Sequence, residues 1–400
     1  MRPPSSSGSA LGSLRVLDFS RVLSGPFATM MLADLGATVT KIERPGTGDD
    51  TRAWGPPYDA VGEATYFQSV NRNKDSVALD LSDPADLAVA RAAALEADVL
   101  VENFRPGVME RLGLGHAALC SANPRLVYCS ITGFGREAGP GLPGYDLLIQ
   151  AVGGLMSITG EPDRGPQKVG VALVDVLAGL FATVGILAAL RHRETSGRGQ
   201  WVEVDLLSSL LAALVNQGTA FTMGGVVPTR LGNRHPSIAP YELLQCADRE
   251  LVLAAGNDRQ FASACGVLGE PGLATDPRFS TNAQRVRHRD ELRTILEKSL
   301  VRRTAAEWAA NLNAAGVPAG EVNDIAEAFE LAAGLGLDPV VELPRAGGPP
   351  VRVTRNPIRL SVTPARYVSA PPPLPRRPGD DTCPSPVADA PTEAGLPRQP

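Results

Sequence analysis

Residues 168–190 read KVGVALVDVLAGLFATVGILAAL, and between Lys168 and Arg191 the only charged side chain is Asp175. The fold turns on how this run is read. The 22 residues from Val169 to Leu190 meet the bare length of a membrane helix. An ionised carboxylate in apolar surroundings, however, costs on the order of several kcal/mol unless dipoles or hydrogen bonds compensate it. Three readings compete: a transmembrane span, a helix cap beside an ordinary core, and a buried reactive acid. Asp175, three glycines within the run and the continuation RHRETSGRGQ into another mixed segment argue against a span. The run is expected as a buried helix of a large domain, with the acid near its N-terminus, where the helix dipole favours negative charge. Capping and reactivity both remain open for that acid.

Working outward, the preceding chain alternates short β-branched runs with helical patterns. RVLDF (15–19), TVTKIE (38–43), SVALDL (76–81), DVLVEN (98–103) and RLVYCSI (125–131) read as strands, which predicts a parallel, Rossmann-like sheet. A helix from about Tyr145, the Asp175 run, a strand GQWVEVD and a helix LLSSLLAALVNQ complete a large domain over 14–222, after a flexible arm at 1–13. Gly224 to Pro236 is rich in Gly, Pro and Arg, and beyond it YELLQC-ADRE-LVLAAG reads as a hairpin followed by helices. A smaller α+β domain is therefore expected over 223–331. Its Thr304-Ala-Ala-Glu307 is a capping-box signature, and its last helices terminate near Gly316-Val-Pro318. Residues 332–375 are expected to return to the large domain, and 376–400 to form a Pro-rich tail.

A net charge of −5 gives no reason to expect nucleic acid or an anionic membrane as partner, so a small molecule is the default ligand. The five cysteines (120, 129, 246, 265 and 383) form no CxxC pair and are odd in number, which suits a reducing cytoplasm. MRPPSSSGSALGS has no apolar h-region, so no targeting segment is expected. Four histidines without HExxH or HxH spacing give a metal no support, and there is no GxSxG elbow. The first βα unit offers Ser24-Gly25-Pro26 and Glu43 in the order of a dinucleotide site. It has one glycine where the fingerprint wants three, and Gly25-Pro26 suits a plain helix start.

The blocks VLDFSRVLSGPFATMMLADLGATVTKIERPGTGDDTR, VNRNKDSVALDL, ADVLVENFRPGVMERLGLG, NPRLVYCSITGFG, GYDLLIQAVGGLMSITGEP and DPRFSTNAQRVRHRDEL resemble, in order and spacing over roughly 14–375, those of the family III coenzyme A transferases. That family includes formyl-CoA and carnitine CoA transferases. The resemblance implies a nucleophilic role for the aspartate of G-V-x-x-x-D, which is Asp175 in GVALVD. It implies CoA phosphate and adenosine contacts at Arg44, at Lys74 of NRNK and at Arg111 of NFRPGVMER, with Asn103 and Phe104 at the pantetheine. It also implies an interlocked ring-like homodimer, and a CoA thioester as substrate with no tightly bound cofactor. Arginine forks and a lysine ammonium suit the phosphates of CoA.

Two positions depart from the family pattern. MGGVVPTRLGNRHPS has only two adjacent glycines where some relatives have three or four in a loop over the active site. Gly144-Tyr145-Asp146 stands where racemases of the superfamily have Gly-His-Asp, and tyrosine, with an ordinary pKa near ~10, is a poor base for an α-proton at pH 7. Transfer is thus expected over 2-methylacyl-CoA racemisation or CoA binding without catalysis. RVLSGPFATM, ERPGTGDDTRAWGPP, VNRNK and AAGNDRQFA look nearest to the succinyl-CoA:glutarate branch. Its dicarboxylate would need a cation for the distal carboxylate. Arg21, Arg52, Arg72 and Arg234 are loop-placed candidates that the sequence does not rank.

Overall fold

The computed structural model describes residues 8–137 and 141–376. Residues 1–7 of the expected arm, all but one residue of the expected tail, and Cys383 lie outside the described residues. Six strands form one parallel sheet in the order β3-β2-β1-β4-β5-β6: β1 (Arg15–Asp18), β2 (Thr38–Glu43), β3 (Lys74–Ala78), β4 (Val99–Glu102), β5 (Val127–Thr132) and β6 (Trp201–Asp205). This is the doubly wound order, in which the chain leaves β1 toward one edge and β4 toward the other. Its helices are α1 (Ser24–Asp34), α2 (Thr65–Val70), α3 (Pro84–Glu96), α4 (Val108–Arg111), α5 (His116–Ala122), α6 (Asp146–Val152), α7 (Leu155–Ile158), α8 (Leu173–Ser196), α9 (Leu206–Ala213) and α10 (Val215–Gly224).

Successive strand residues face opposite sides, so each strand feeds two cores. Val16, Val99, Val127 and Cys129 pack under Ala28 and Leu32 of α1 and Ala178, Ala182 and Ile186 of α8. On the other side Leu17, Leu100 and Tyr128 meet Ala90 and Ala94 of α3 and Leu119 of α5. The third strand starts two residues earlier than its apolar run suggests, because Lys74 pairs in register with Val39.

The Asp175 run forms most of α8, the one single helix among the described residues whose length and composition would let it cross a bilayer. It is buried on one face only. Ala178, Ala182, Ile186 and Ala189 are fully buried against the sheet, whereas Leu180, Phe181 and Val184 are 40%, 43% and 63% exposed. The expectation of a buried helix therefore holds for the small-residue face, which close packing on the sheet selects, and fails for the bulkier one. The segment 206–217, expected as one helix, is broken between α9 and α10, whose axes bend by 83°. Val215 sits at φ 34°, and no Gly or Pro signals the break.

The later chain forms the expected hairpin, β7 (Tyr241–Gln245) and β8 (Glu250–Ala254), extended by a third antiparallel strand, β9 (Ala319–Glu321). That strand is three residues long and has no alternating pattern to announce it. Helices α11 (Asp258–Leu268), α12 (Asn282–Arg287), α13 (Arg289–Leu300) and α14 (Ala305–Ala314) surround a separate core that includes Leu244, Phe261, Leu296 and Trp308. The Thr304/Glu307 capping box opens α14, and Asp324/Glu327 form a second at α15 (Ile325–Gly334). After the hairpin β10 (Val340–Leu343) and β11 (Val351–Thr354), Asn356 donates to Asp34 at 3.1 Å and the Asn73 N–H donates to the Ser369 carbonyl at 3.0 Å.

Candidate active site

The turn from β1 into α1 rests on buried ions. Asp18 accepts from the Ser20 N–H at 2.9 Å, the Thr29 hydroxyl at 2.6 Å and the Lys74 ammonium at 3.1 Å. Lys74 also donates to the Pro26 carbonyl and to Asn71, both at 2.9 Å. Lys41 donates to the Ser20 carbonyl at 2.7 Å and pairs with Asp49 at 2.9 Å. Burial alone would raise the Asp18 pKa, but Lys74 and Lys41, together with the Ser20 and Thr29 hydrogen bonds, outweigh it and hold the carboxyl at about 2. The network fixes the loop above it. Val22 is held at φ 68°, with its N–H 3.3 Å from both Asp49 carboxylate oxygens. Asn103, just past β4, clamps Arg21 by accepting its N–H and donating to its carbonyl, both at 2.8 Å.

Above this loop, at the C-terminal ends of β1, β4 and β5, lies a cavity of about 270 Å³ whose walls include Arg21, Ser24, Asn103, Phe104, Tyr145 and Asp175. It occupies the point where strand order reverses, the customary ligand position in such sheets. Gly133, after β5, and Gly144, before α6, pass so closely that a Cβ on either would lie within 2.5 Å of the other backbone. That approach brings Tyr145 to the cavity wall, while the adjacent Asp146 is buried.

Asp175 is the third residue of α8 and does not cap it. The N–H groups of Val174 and Asp175 point instead at Asp146 Oδ1, at 2.7 and 3.3 Å, while Gln150 holds the other Asp146 oxygen at 2.6 Å. Capping is thus supplied from 28 residues away, and the Asp175 carboxyl is left facing the cavity. The Ser24 hydroxyl, also on the cavity wall, is the one neighbouring side chain that favours its ionised form. Gly179, one turn on, allows this contact, since a Cβ there would meet the Ser24 carbonyl at 2.6 Å. Burial first, then the Asp146 charge, raises the Asp175 pKa to about 7, and Ser24 offsets this only in part. The carboxyl is therefore not simply ionised at pH 7, as its ordinary value near ~4 implies.

The structure brings together Asp175, Asn103 and Phe104 in one cavity, and adds Ser24 and Asp146, which the sequence did not single out as functional. Their signal lay in the SGP and GYD triplets flanking the site. Arg44 and Arg111 lie outside the cavity wall. Arg44 is paired with Asp50, a wall residue, and Arg111 is exposed at the end of α4. Glu102 and Glu110 pair with Arg136 rather than with Arg111.

Lys74 requires a correction. Its side chain is fully buried and its ammonium is saturated by three oxygens, so no phosphate reaches it in this arrangement. Glu43 is likewise committed, to Arg52, Ser76 and the Asp49 N–H, which leaves it no part in a ribose site. No residue of 223–236 lines the Asp175 cavity; Gly232 and Arg230 of that segment bond the Gly160 and Glu161 carbonyls. Among the described residues no cluster of side chains suits a metal ion.

Comparison with known proteins agrees with this geometry. The family model described as CoA-transferase family III matches residues 11–378. The chain is 43% identical to the succinate–glutarate CoA-transferase of Agrobacterium fabrum, over 89% of this chain and 91% of that one. It is also 43% identical to the acetyl-CoA:oxalate CoA-transferase of Acetobacter aceti, over 87% and 88%. A CAIB/BAIF family protein from Brucella suis, known from its crystal structure, superposes with a TM-score of 0.82 at 39% identity, covering 92% of this chain and 97% of that one. With a parallel sheet, a cavity at its switch point and a family match along nearly the whole length, the chain belongs to CoA-transferase family III and is an enzyme of that class.

Proposed function

We propose that this enzyme carries CoA from succinyl-CoA to a second dicarboxylic acid such as glutarate, with Asp175 as the covalent nucleophile. The observation that carries the reading is a half-buried carboxyl on the wall of a cavity, beside the Ser24 hydroxyl, with the capping of its helix taken over by Asp146. The relatives named above support the substrate class, since one is named for glutarate and the other for oxalate, and both acids carry two carboxylates.

An Asp175 carboxylate oxygen attacks the thioester carbon, the C–S bond breaks, and CoA thiolate leaves a mixed anhydride between the acyl group and Asp175. The thiolate then attacks the aspartyl carbonyl, expelling the donor as a free carboxylate and forming an aspartyl-CoA thioester. The acceptor carboxylate attacks that thioester, giving a second anhydride and thiolate. Attack of the thiolate on the acceptor carbonyl yields the new acyl-CoA and returns Asp175 as a carboxylate. Water must be kept out, because it would hydrolyse both anhydrides.

Arg44 and Arg111 are proposed phosphate contacts, with Asn103 and Phe104 beside the pantetheine. Lys74 instead holds the β1–α1 loop. A homodimer is proposed as well: Leu147 and Val152 of α6, Phe181 and Val184 of α8, and Phe221 and Met223 of α10 are large apolar side chains left exposed in the single chain. Light scattering should then give a mass near twice 41.9 kDa.

The decisive test is intact-mass analysis after mixing the enzyme with succinyl-CoA and no acceptor. An acyl or CoA adduct, labile to hydroxylamine and mapping to the peptide containing Asp175, is expected. Exchange of the C2 proton in heavy water without any adduct would instead identify a racemase. CoA binding with neither reaction would identify a binding protein.

A further inference from the structure

The structure separates four arginines that the sequence leaves equivalent. Arg52 forks onto Glu43 at 2.7 and 2.8 Å and lies on the Phe67 ring. Arg72 forks onto Asp34 at 2.9 and 2.6 Å and is buried. Arg234 pairs with Asp290 at 2.7 Å and with Glu242 at 3.6 Å, and it does not line the Asp175 cavity. Each of these cations already has its anion.

Arg21 does not. It lines the cavity with Asp175, and among the described residues it forms no ion pair, although its guanidinium sits 4.8 Å from the centre of the Phe104 ring. Asp50, also on the wall, is paired with Arg44. Arg105, the other arginine on the wall, is exposed, whereas Arg21 is half-buried. The Arg21 backbone is clamped from both sides by Asn103, so the side chain projects from a fixed base. Burial and the neighbouring Arg44 lower the Arg21 pKa, and the Asp50 and Asp49 carboxylates, each paired elsewhere, offset this only in part. A planar guanidinium held on an aromatic ring is well suited to a two-point contact with a carboxylate.

The geometry points to Arg21 as the residue that recognises the distal carboxylate of a dicarboxylic acyl group while the reacting end lies at Asp175. This rests on the transferase reading above and adds how the substrate class is selected. An acyl group without a distal carboxylate would leave Arg21 without an ion pair. A dicarboxylate supplies the missing charge.

The test compares succinyl-CoA with butyryl-CoA, which has a methyl group in place of the distal carboxylate, in formation of the Asp175 adduct by wild type and Arg21→Gln. Wild type is expected to favour succinyl-CoA by about 10- to 100-fold in rate per concentration, the range of one charge-assisted contact. Arg21→Gln should bring the two donors within a few-fold by slowing succinyl-CoA alone, and Arg21→Lys should keep part of the preference. Equal losses on both donors would mean that Arg21 serves CoA or the loop, and an unchanged preference would remove it from recognition; either result overturns the inference. Butyryl-CoA reactivity in the variant reports that the site is folded. If wild type forms no adduct with any donor, the transferase reading fails first. Calorimetric titration with glutarate and valerate then still decides, since Arg21 recognition requires tighter glutarate binding in wild type that Arg21→Gln abolishes.

Discussion

Two groups of charges meet at the β1–α1 loop and are treated in opposite ways. Below the loop, Asp18, Lys74, Lys41 and Asp49 are buried and saturated, each ion facing an opposite charge and further polar partners. Above it, among the described residues, neither Asp175 nor Arg21 forms an ion pair: Asp175 lies beside the Ser24 hydroxyl, and Arg21 lies on the Phe104 ring near Asp49 and Asp50, which are paired with lysine and arginine elsewhere. Burying an ion without a partner is costly, so a fold does it where a ligand later supplies the partner or where the ion reacts. The lower group builds the platform. The upper group is where the chemistry is expected.

The sharpest way to break this comparison is Asp175→Asn. An amide does not attack a thioester, so turnover should fall by about three orders of magnitude or more, while α8 keeps its cap on Asp146. Stability should move the other way. The Asp175 pKa of about 7 lies above its unfolded value, so native Asp175 contributes stability below about pH 4 that is lost as pH rises through 7. The Asn variant should therefore be more stable than wild type by on the order of 1 kcal/mol at pH 8, with no such gain at pH 4. Near-normal turnover with no adduct on the Asp175 peptide would make the acid structural.

Lys74→Ala tests the lower group. It leaves Asp18 buried without its nearest cation, a change that costs about 3–5 kcal/mol. A lowered Tm is expected, with CoA affinity near normal in whatever protein remains folded. A variant of normal Tm whose donor KM rises tenfold would restore Lys74 as a phosphate ligand and erase the distinction drawn here. Arg44→Ala and Arg111→Ala should show the reverse, raising the donor KM by about tenfold at unchanged Tm. CoA titrations in which both variants bind like wild type would remove them from the site.

The smallest effect concerns pH. Attack needs the Asp175 carboxylate, so adduct formation by the free enzyme should rise through about pH 7 to a plateau. Asp146→Asn removes the neighbouring like charge while an amide oxygen still accepts from Val174. Its midpoint should shift down by about half to one unit. An unmoved midpoint would mean that burial alone sets the Asp175 pKa.

Much of this was legible before the fold was known. The strands 15–19, 38–43 and 98–103 were readable because a parallel strand buried on both faces is written as a local apolar run, and the hairpin 241–254 because alternation and turn residues are local too. Asp175 stood out as a lone charge in an apolar stretch. The break at Leu214 and the three-residue strand β9 were not readable, since the first carries no Gly or Pro and the second, Ala-Gly-Glu, is too short for a periodic pattern and has a glycine at its centre.

Charge pairing was the least legible layer. Lys74 reads in the sequence as a CoA contact, and nothing local to it announces the carboxylate 56 residues earlier in the chain that lies beside its ammonium. Asp146 gave no sign of capping a helix that starts 27 residues after it. Arg21, Arg52, Arg72 and Arg234 were indistinguishable because each lies in a polar loop segment. The sequence by itself determined most strands of the parallel sheet, the βα alternation, the family blocks and the lone acid proposed as the nucleophile, all of which are written in neighbouring residues. Only the tertiary structure decided which charges are spent on one another and which are left for a substrate, because Coulomb pairing depends on separation in space and on burial, and neither follows from separation along the chain.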